Sequence, residues 1–218
     1  MDKFLKVTED QLDIFDTPAR IIVAGYSNSG KSELVKKIIT KYHHKFNDII
    51  ICGIAEHSLQ KDPHIGRKLS VYPHIINPLS EVNMFDKGNI LYILDDIFLE
   101  AVENKHVVDA FTKGRHLNIS TIFITQNLFF SGKYARNISL NCSHYILLKQ
   151  RDLNQVQCLG RQLYGSSKAK EFVEIYKKCL QYQSYGYLLV DLGIKCSEDY
   201  QFRTNIVGEP PCELVLQW

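Results

Sequence analysis

Residues 19–44 read ARIIVAGYSNSGKSELVKKIITKYHH, and the order of apolar run, glycine-bounded turn and periodic lysine-rich stretch decides the fold. Ala19 to Ala24 is a short β-branched run entered through Pro18 and ended by Gly25, whose missing Cβ suits a sharp turn, so a buried strand is predicted here. From Ser32 to His44, Leu34, Val35, Ile38, Ile39 and Tyr42 recur at helical spacing, with Lys36, Lys37 and Lys41 between them. That spacing predicts a helix lying on a sheet. Between the two, GYSNSGKS at Gly25 to Ser32 fits G-x-x-x-x-G-K-S, the turn that cradles phosphates when a strand precedes it and a helix follows. Gly25 and Gly30 let the backbone curl so that successive N–H groups face inward, and the helix N-terminus adds about half a positive charge. The residues expected to surround a nucleoside triphosphate are Gly25, Tyr26, Ser27, Asn28, Ser29, Gly30, Lys31, Ser32 and Glu33. Lys31 neutralises the β- and γ-phosphates, and Ser32 offers a hydroxyl to a phosphate-bound Mg²⁺.

Outward from this turn, short Ile-, Val- and Leu-rich runs alternate with amphipathic stretches, the pattern of an α/β fold with a mostly parallel sheet flanked by helices. Strands are predicted at 48–53, 89–94, 119–125, 144–148 and 187–192, and helices at 102–112, 134–141, 152–164 and 168–182. Residues 55–88, with Pro63, Pro73 and Pro78, read as irregular. A length of 218 residues suits one domain, spanning 1–218, with residues 1–18 as a lead-in and 196–218 as a tail of no legible role.

The strand NILYIL ends in two carboxylates, Asp95 and Asp96. A strand beside a phosphate loop supplies such acids: Asp95 to hold Mg²⁺ through water, Asp96 to orient and deprotonate the attacking water, where related ATPases place Glu. A dedicated GTPase should carry the base reader Asn-Lys-x-Asp, but Asn104-Lys105 is followed by His106 and Val107, so the pattern fails and that class is disfavoured. A small-molecule kinase would need an Arg-bearing lid, for which Arg151 and Arg161 are available. A nucleotide-gated binding module, hydrolysing slowly and only as it binds its partner, is the non-enzymatic alternative. Ligands of open α/β sheets bind at strand carboxyl ends, and Gln126 closes the predicted strand 119–125, within reach of a γ-phosphate or a water.

The phosphate loop, the LDD strand end, Gly114-Arg-His-Leu-Asn-Ile-Ser120 and Ile124-Thr-Gln-Asn127, continued by SGKYARNISLNCSHYILLKQRDLNQ at 131–155, together resemble the FtsK-HerA superfamily. Within it they are most similar to the genome-packaging ATPases of poxviruses, virophages and Polinton (Maverick) elements, over about residues 19 to 165. The resemblance implies a P-loop NTPase fold of the RecA/FtsK-HerA type and an ATP- and Mg²⁺-dependent hydrolase that translocates double-stranded DNA. It further implies a hexameric ring around the DNA, capsid or portal partners, and a place in the virion or at an intracellular site of viral assembly. Ring motors hydrolyse at subunit borders with a cation from the neighbour, and the family motif makes Arg115 the first candidate finger and Arg136 the second.

Lys plus Arg number 26 against 24 Asp plus Glu, so a net charge of +2 holds no polyanion by itself and DNA contact requires a local basic patch. Arg67, Lys68 and Lys133 are the candidates, acting on backbone phosphates without reading sequence. The six cysteines stand apart without a CxxC pair, which points to reduced thiols. His43, His44, His57, His64 and His74 lack acidic partners at metal-ligand spacing and read as surface or capping residues. The N-terminal stretch is acidic where a signal peptide is apolar, and no apolar run approaches the roughly 20 residues of a membrane span, so no membrane role is expected.

Overall fold

The apolar strand that ends at Ala24 lies in the middle of a sheet, hydrogen-bonded on both sides to parallel neighbours. The computed structural model describes residues 4–7, 13–53, 58–78, 88–95, 97–208 and 213–216. In chain order its strands are β1 (Phe4–Val7), β2 (Arg20–Ala24), β3 (Asp48–Cys52), β4 (Leu69–Tyr72), β5 (Ile90–Leu94), β6 (Ile119–Thr125), β7 (His144–Leu147), β8 (Leu188–Asp191), β9 (Phe202–Thr204) and β10 (Glu213–Leu216). Its helices are α1 (Lys31–Tyr42), α2 (Phe98–Ala101), α3 (Lys105–Lys113), α4 (Ala135–Leu140), α5 (Leu153–Tyr164) and α6 (Ala169–Tyr182). One sheet runs in the order β1-β10-β9-β8-β7-β2-β6-β5-β3-β4. From β4 to β7 every pairing is parallel, and from β7 to β1 every pairing is antiparallel.

Strand side chains alternate between faces, and both faces are buried. Ile21, Val23, Ile49, Ile51, Ile122 and Ile124 pack on α1 through Leu34, Val35, Ile38, Ile39 and Tyr42. On the other face Ile22, Ala24, Ile50, Leu94 and Phe123 join α3 through Val107 and Phe111, and α5 and α6 through Val156, Leu159, Phe172 and Tyr176. The α/β architecture and the predicted strands and helices flanking the phosphate loop are therefore present.

Four details differ from the sequence reading. The segment read as irregular contains β4, a half-buried edge strand too short and too polar at Ser70 to register as a buried run. The helix predicted from Val102 begins instead at Lys105, because the Asn104 side chain accepts the His106 N–H at 2.8 Å and caps it, while α2 precedes it separately. The tail supplies β10, and the lead-in supplies β1, which pairs with it. Finally, Arg161, available for the lid of a small-molecule kinase, lies exposed at the C-terminal end of α5, a helix packed into the core through Val156 and Leu159, and the kinase alternative is not favoured.

Candidate active site

Ala24 is level with Thr125 of β6 and Leu147 of β7, so the turn that follows leaves the sheet between two strand ends. Each neighbour grips it: the Gly25 N–H donates to the Thr125 carbonyl at 3.2 Å and the Tyr26 N–H to the Lys149 carbonyl at 3.1 Å. Gly25 admits no side chain, since a Cβ would stand 2.5 Å from Ser29 Oγ and 2.9 Å from Leu148 Cβ. Asn28 and Gly30 take φ values of 63° and 93°, the left-handed conformation that lets a short loop turn its amides toward a common centre. Gly30 is the N-cap of α1 and brings no side chain to the first turn, so those N–H groups are left for a ligand.

The Lys31 ammonium folds over this loop, donating to the Gly25 carbonyl at 2.7 Å and the Tyr26 carbonyl at 3.0 Å. Ser32 is exposed, and its hydroxyl donates to Asp95 Oδ2 at 3.3 Å. Asp95 is buried, held by its own N–H on the Cys52 carbonyl at 2.9 Å. A hard-oxygen hydroxyl and carboxylate this close, beside an uncapped helix N-terminus and a lysine, form a donor set that suits Mg²⁺ on a polyphosphate. Gln126, at the end of β6, accepts a hydrogen bond from Ser27 Oγ at 3.2 Å, so a third strand end reaches the same loop.

The structure thus brings Lys31, Ser32, Asp95 and Gln126 together. Asp96 lies outside the described residues. Glu33 directs its side chain along the helix surface into a 3.3 Å pair with Lys36, leaving only its backbone near the loop. Arg115 sits in the turn Gly114–Leu117 that leads into β6, at the amino ends of the parallel strands, whereas the loop lies at their carboxyl ends. Its charge adjoins Arg20, whose pKa is lowered first by burial and then by that neighbouring guanidinium. Arg136 is exposed in the first turn of α4.

Of the DNA candidates, Arg67 is exposed, whereas Lys68 spends its ammonium on the Phe46 carbonyl at 2.8 Å and is half-buried. Lys133 is exposed, 5.0 Å from the Tyr134 ring centroid. Two contributors escaped the sequence reading. Gly53 ends β3 so close to the β5 end that a Cβ would lie 2.0 Å from the Asp95 carbonyl oxygen, and a glycine after a buried strand was the available signal. The other is the contact of Arg151, a residue available for a kinase lid, whose guanidinium lies 5.8 Å from the Tyr26 ring centroid.

The model of the poxvirus A32 protein family matches residues 7–201, a span holding the loop, Asp95 and Gln126. The chain belongs to this family. It is accordingly a viral genome-packaging ATPase of the FtsK-HerA type, a nucleotide-binding ATP hydrolase whose family implies association with DNA and capsid at a site of viral assembly. Solved structures with the same fold include the genome packaging NTPase B204 from Sulfolobus turreted icosahedral virus 2 in complex with AMPPCP, at 16% identity and a TM-score of 0.56, covering 93% of this chain and 99% of that one. The same NTPase in complex with ATP-gammaS matches at 18% identity and a TM-score of 0.54, covering 92% and 98%. The DNA-packaging ATPase B204 from Sulfolobus turreted icosahedral virus matches at 14% identity and a TM-score of 0.53, covering 93% and 99%. No curated protein matches the chain. Among the described residues no helix is long and apolar enough to cross a membrane.

Proposed function

We propose that the chain works as a single ATPase domain, repeated around a hexameric ring, that drives double-stranded DNA into a capsid while docked on a capsid or portal protein. The observation that carries this reading is the 3.3 Å approach of Ser32 Oγ to Asp95 at the uncapped start of α1. There Ser32 and Asp95 would hold Mg²⁺, which when bound offsets phosphate charge. Lys31 exchanges the Gly25 and Tyr26 carbonyls for phosphate oxygens, and the amides of Gly25 to Glu33 surround the triphosphate. Gln126, tied to Ser27, couples the loop to the end of β6 and senses which phosphate is present. Asp96, next in sequence to Asp95, takes the general-base role.

Arg115, at the opposite end of the parallel strands, cannot serve the loop of its own subunit, which supports its delivery to a neighbour's γ-phosphate, with Arg136 the second candidate. Arginine suits that task because its planar fork stays charged and meets two phosphate oxygens. DNA is gripped through its phosphates, with Arg67 and Lys133 the exposed cations on offer, so binding weakens steeply with salt. The ring acts where virions assemble, in the host cell or in the particle itself.

The reading is tested by ATP turnover with and without duplex DNA, alongside the particle mass in the presence of a non-hydrolysable ATP analogue. Stimulated turnover from a six-fold particle supports it, and a monomer whose turnover ignores DNA of every length overturns it. Mixing Lys31→Ala with Arg115→Ala, each inactive alone, should restore part of the activity if Arg115 acts across a subunit border.

A further inference from the structure

The loop from Gln183 to Gly186 joins α6 to β8, and because β8 runs antiparallel to β7 it arrives at the same sheet edge as the phosphate loop. Within it Tyr185 is 72% exposed and adopts φ 59°, a left-handed backbone that is an outlier for an aromatic residue. Its neighbours enforce the conformation. Gly186 donates to the Gln183 carbonyl at 2.9 Å and packs so tightly on α6 that a Cβ would stand 2.6 Å from the Cys179 carbonyl oxygen, while Tyr187 is buried. The chain therefore holds a large ring out in solvent at a cost in backbone strain, which calls for a use at that position.

The ring rests on Gly30 of the phosphate loop, where a Cβ would lie 3.0 Å from Tyr185 Cδ1 and 3.4 Å from Cγ. Sheet order fixes the flank. Asp95 follows β5, one strand beyond β6, while Tyr185 precedes β8, one strand beyond β7, so the two lie on opposite sides of β2 and its loop. A triphosphate whose terminal end meets Ser32 and Asp95 carries its nucleoside toward the β7 and β8 flank, where Arg151 already stacks near Tyr26.

We infer that Tyr185 is the stacking face for the nucleobase of the bound triphosphate, making this site selective for purine over pyrimidine nucleotides with little discrimination between adenine and guanine. The inference rests on the reading of Gly25–Ser32 as a triphosphate site. An aromatic face contributes most to the larger base and reads no hydrogen-bond pattern, which is why ring size rather than base identity is distinguished.

The test is equilibrium binding of ATP, CTP and inorganic tripolyphosphate to the full chain and to Tyr185→Phe, Tyr185→Ala and Tyr185→Asn. Asparagine accepts the left-handed backbone, so that variant removes the ring without adding strain. The expected result is a loss of about 5- to 100-fold in ATP affinity for Ala and Asn, unchanged tripolyphosphate affinity, and near-normal behaviour for Phe. In Tyr185→Trp, ATP should quench the new indole emission while tripolyphosphate leaves it alone. Equal losses for ATP and tripolyphosphate, or no loss for ATP, overturn the stacking role while leaving the triphosphate site in place. A wild-type chain that binds neither ligand overturns the triphosphate site itself and this inference with it.

Discussion

The two edges of the parallel strands each set a serine hydroxyl in a hydrogen-bonded line with an aspartate, and only one of them is built for a ligand. At the loop edge Ser32 is exposed and touches Asp95 at 3.3 Å. At the other edge Ser143 Oγ lies 2.9 Å from His144 Nδ1, and His144 Nε2 lies 3.2 Å from Asp191 Oδ1. That Ser-His-Asp order has the connectivity of a nucleophile relay, yet it is closed. Ser143 Oγ is engaged by the Arg20 backbone, accepting its N–H at 2.8 Å and donating to its carbonyl at 3.2 Å. Asp191 Oδ2 pairs with the wholly buried Arg203. Burial by itself would raise the Asp191 pKa, but the hydrogen bond and charge of His144, the charge of Arg203 and the Gly193 N–H outweigh it and hold the group at about 2. The difference teaches that a polar constellation does chemistry only where access is left open; at the far edge the same residue types lock β7, β8 and β9 together.

The sharpest way to break the comparison is Asp191→Ala, which takes from the buried Arg203 guanidinium the carboxylate it pairs with. Removing one member of a buried pair costs about 3–5 kcal/mol, so the urea midpoint should fall far below that of Lys177→Ala, which removes only a surface pair with Glu174. ATP turnover per folded molecule should be unchanged. Next in size, Lys31→Ala should do the reverse: turnover falls by about 10²- to 10³-fold, as for loss of one charge-stabilising donor, with the midpoint nearly unmoved. If the Lys31 variant instead unfolds the protein while Asp191→Ala abolishes turnover in folded material, the division of labour between the edges is wrong.

The same division explains what could be read in advance. The loop edge was legible because its parts are contiguous: Ile21 to Ala24, the glycine turn and the Leu34, Val35, Ile38, Ile39 stripe announce strand, turn and helix within one short stretch. Asp95 and Gln126 were legible because each ends an unmistakable apolar run. The far edge was not. Arg203 in a three-residue strand reads as a surface charge, and only the meeting of β8 with β9 makes it an interior partner of Asp191. Gly53 and Tyr185 have the same character, since their roles exist only through contacts with Asp95 and Gly30 across the sheet.

Acid separates the edges without mutation. The Asp191 carboxyl falls from an ordinary 3.8 to about 2 on folding, so it contributes stability that is present above pH 4 and lost as pH drops through 2. The shift corresponds to about 2 kcal/mol at neutral pH, of which about 1 kcal/mol remains at pH 3. Wild type should lose that increment between pH 7 and pH 3 in urea titrations, and Asp191→Asn, with no proton to gain, should lose less over the same range. Parallel curves would mean that the network does not hold the carboxylate.

The smallest expected effect sharpens the contrast from the other side, because the open edge still rests on a closed support. The buried Tyr176 hydroxyl accepts the Gln150 N–H at 2.8 Å and donates to the Leu148 carbonyl at 3.0 Å, and burial pushes its pKa up to about 12. Between those residues stands Lys149, whose carbonyl holds the Tyr26 N–H of the phosphate loop. Tyr176→Phe keeps the ring and removes both bonds, at a cost of about 1 kcal/mol in global stability. Because the unpaired Gln150 N–H frees the strand end, amide exchange at Tyr26 and Gln150 should quicken by more than that global loss accounts for, and affinity for tripolyphosphate should weaken with it. Faster exchange everywhere by one common factor would show instead that Tyr176 holds the fold and does not specifically brace the loop.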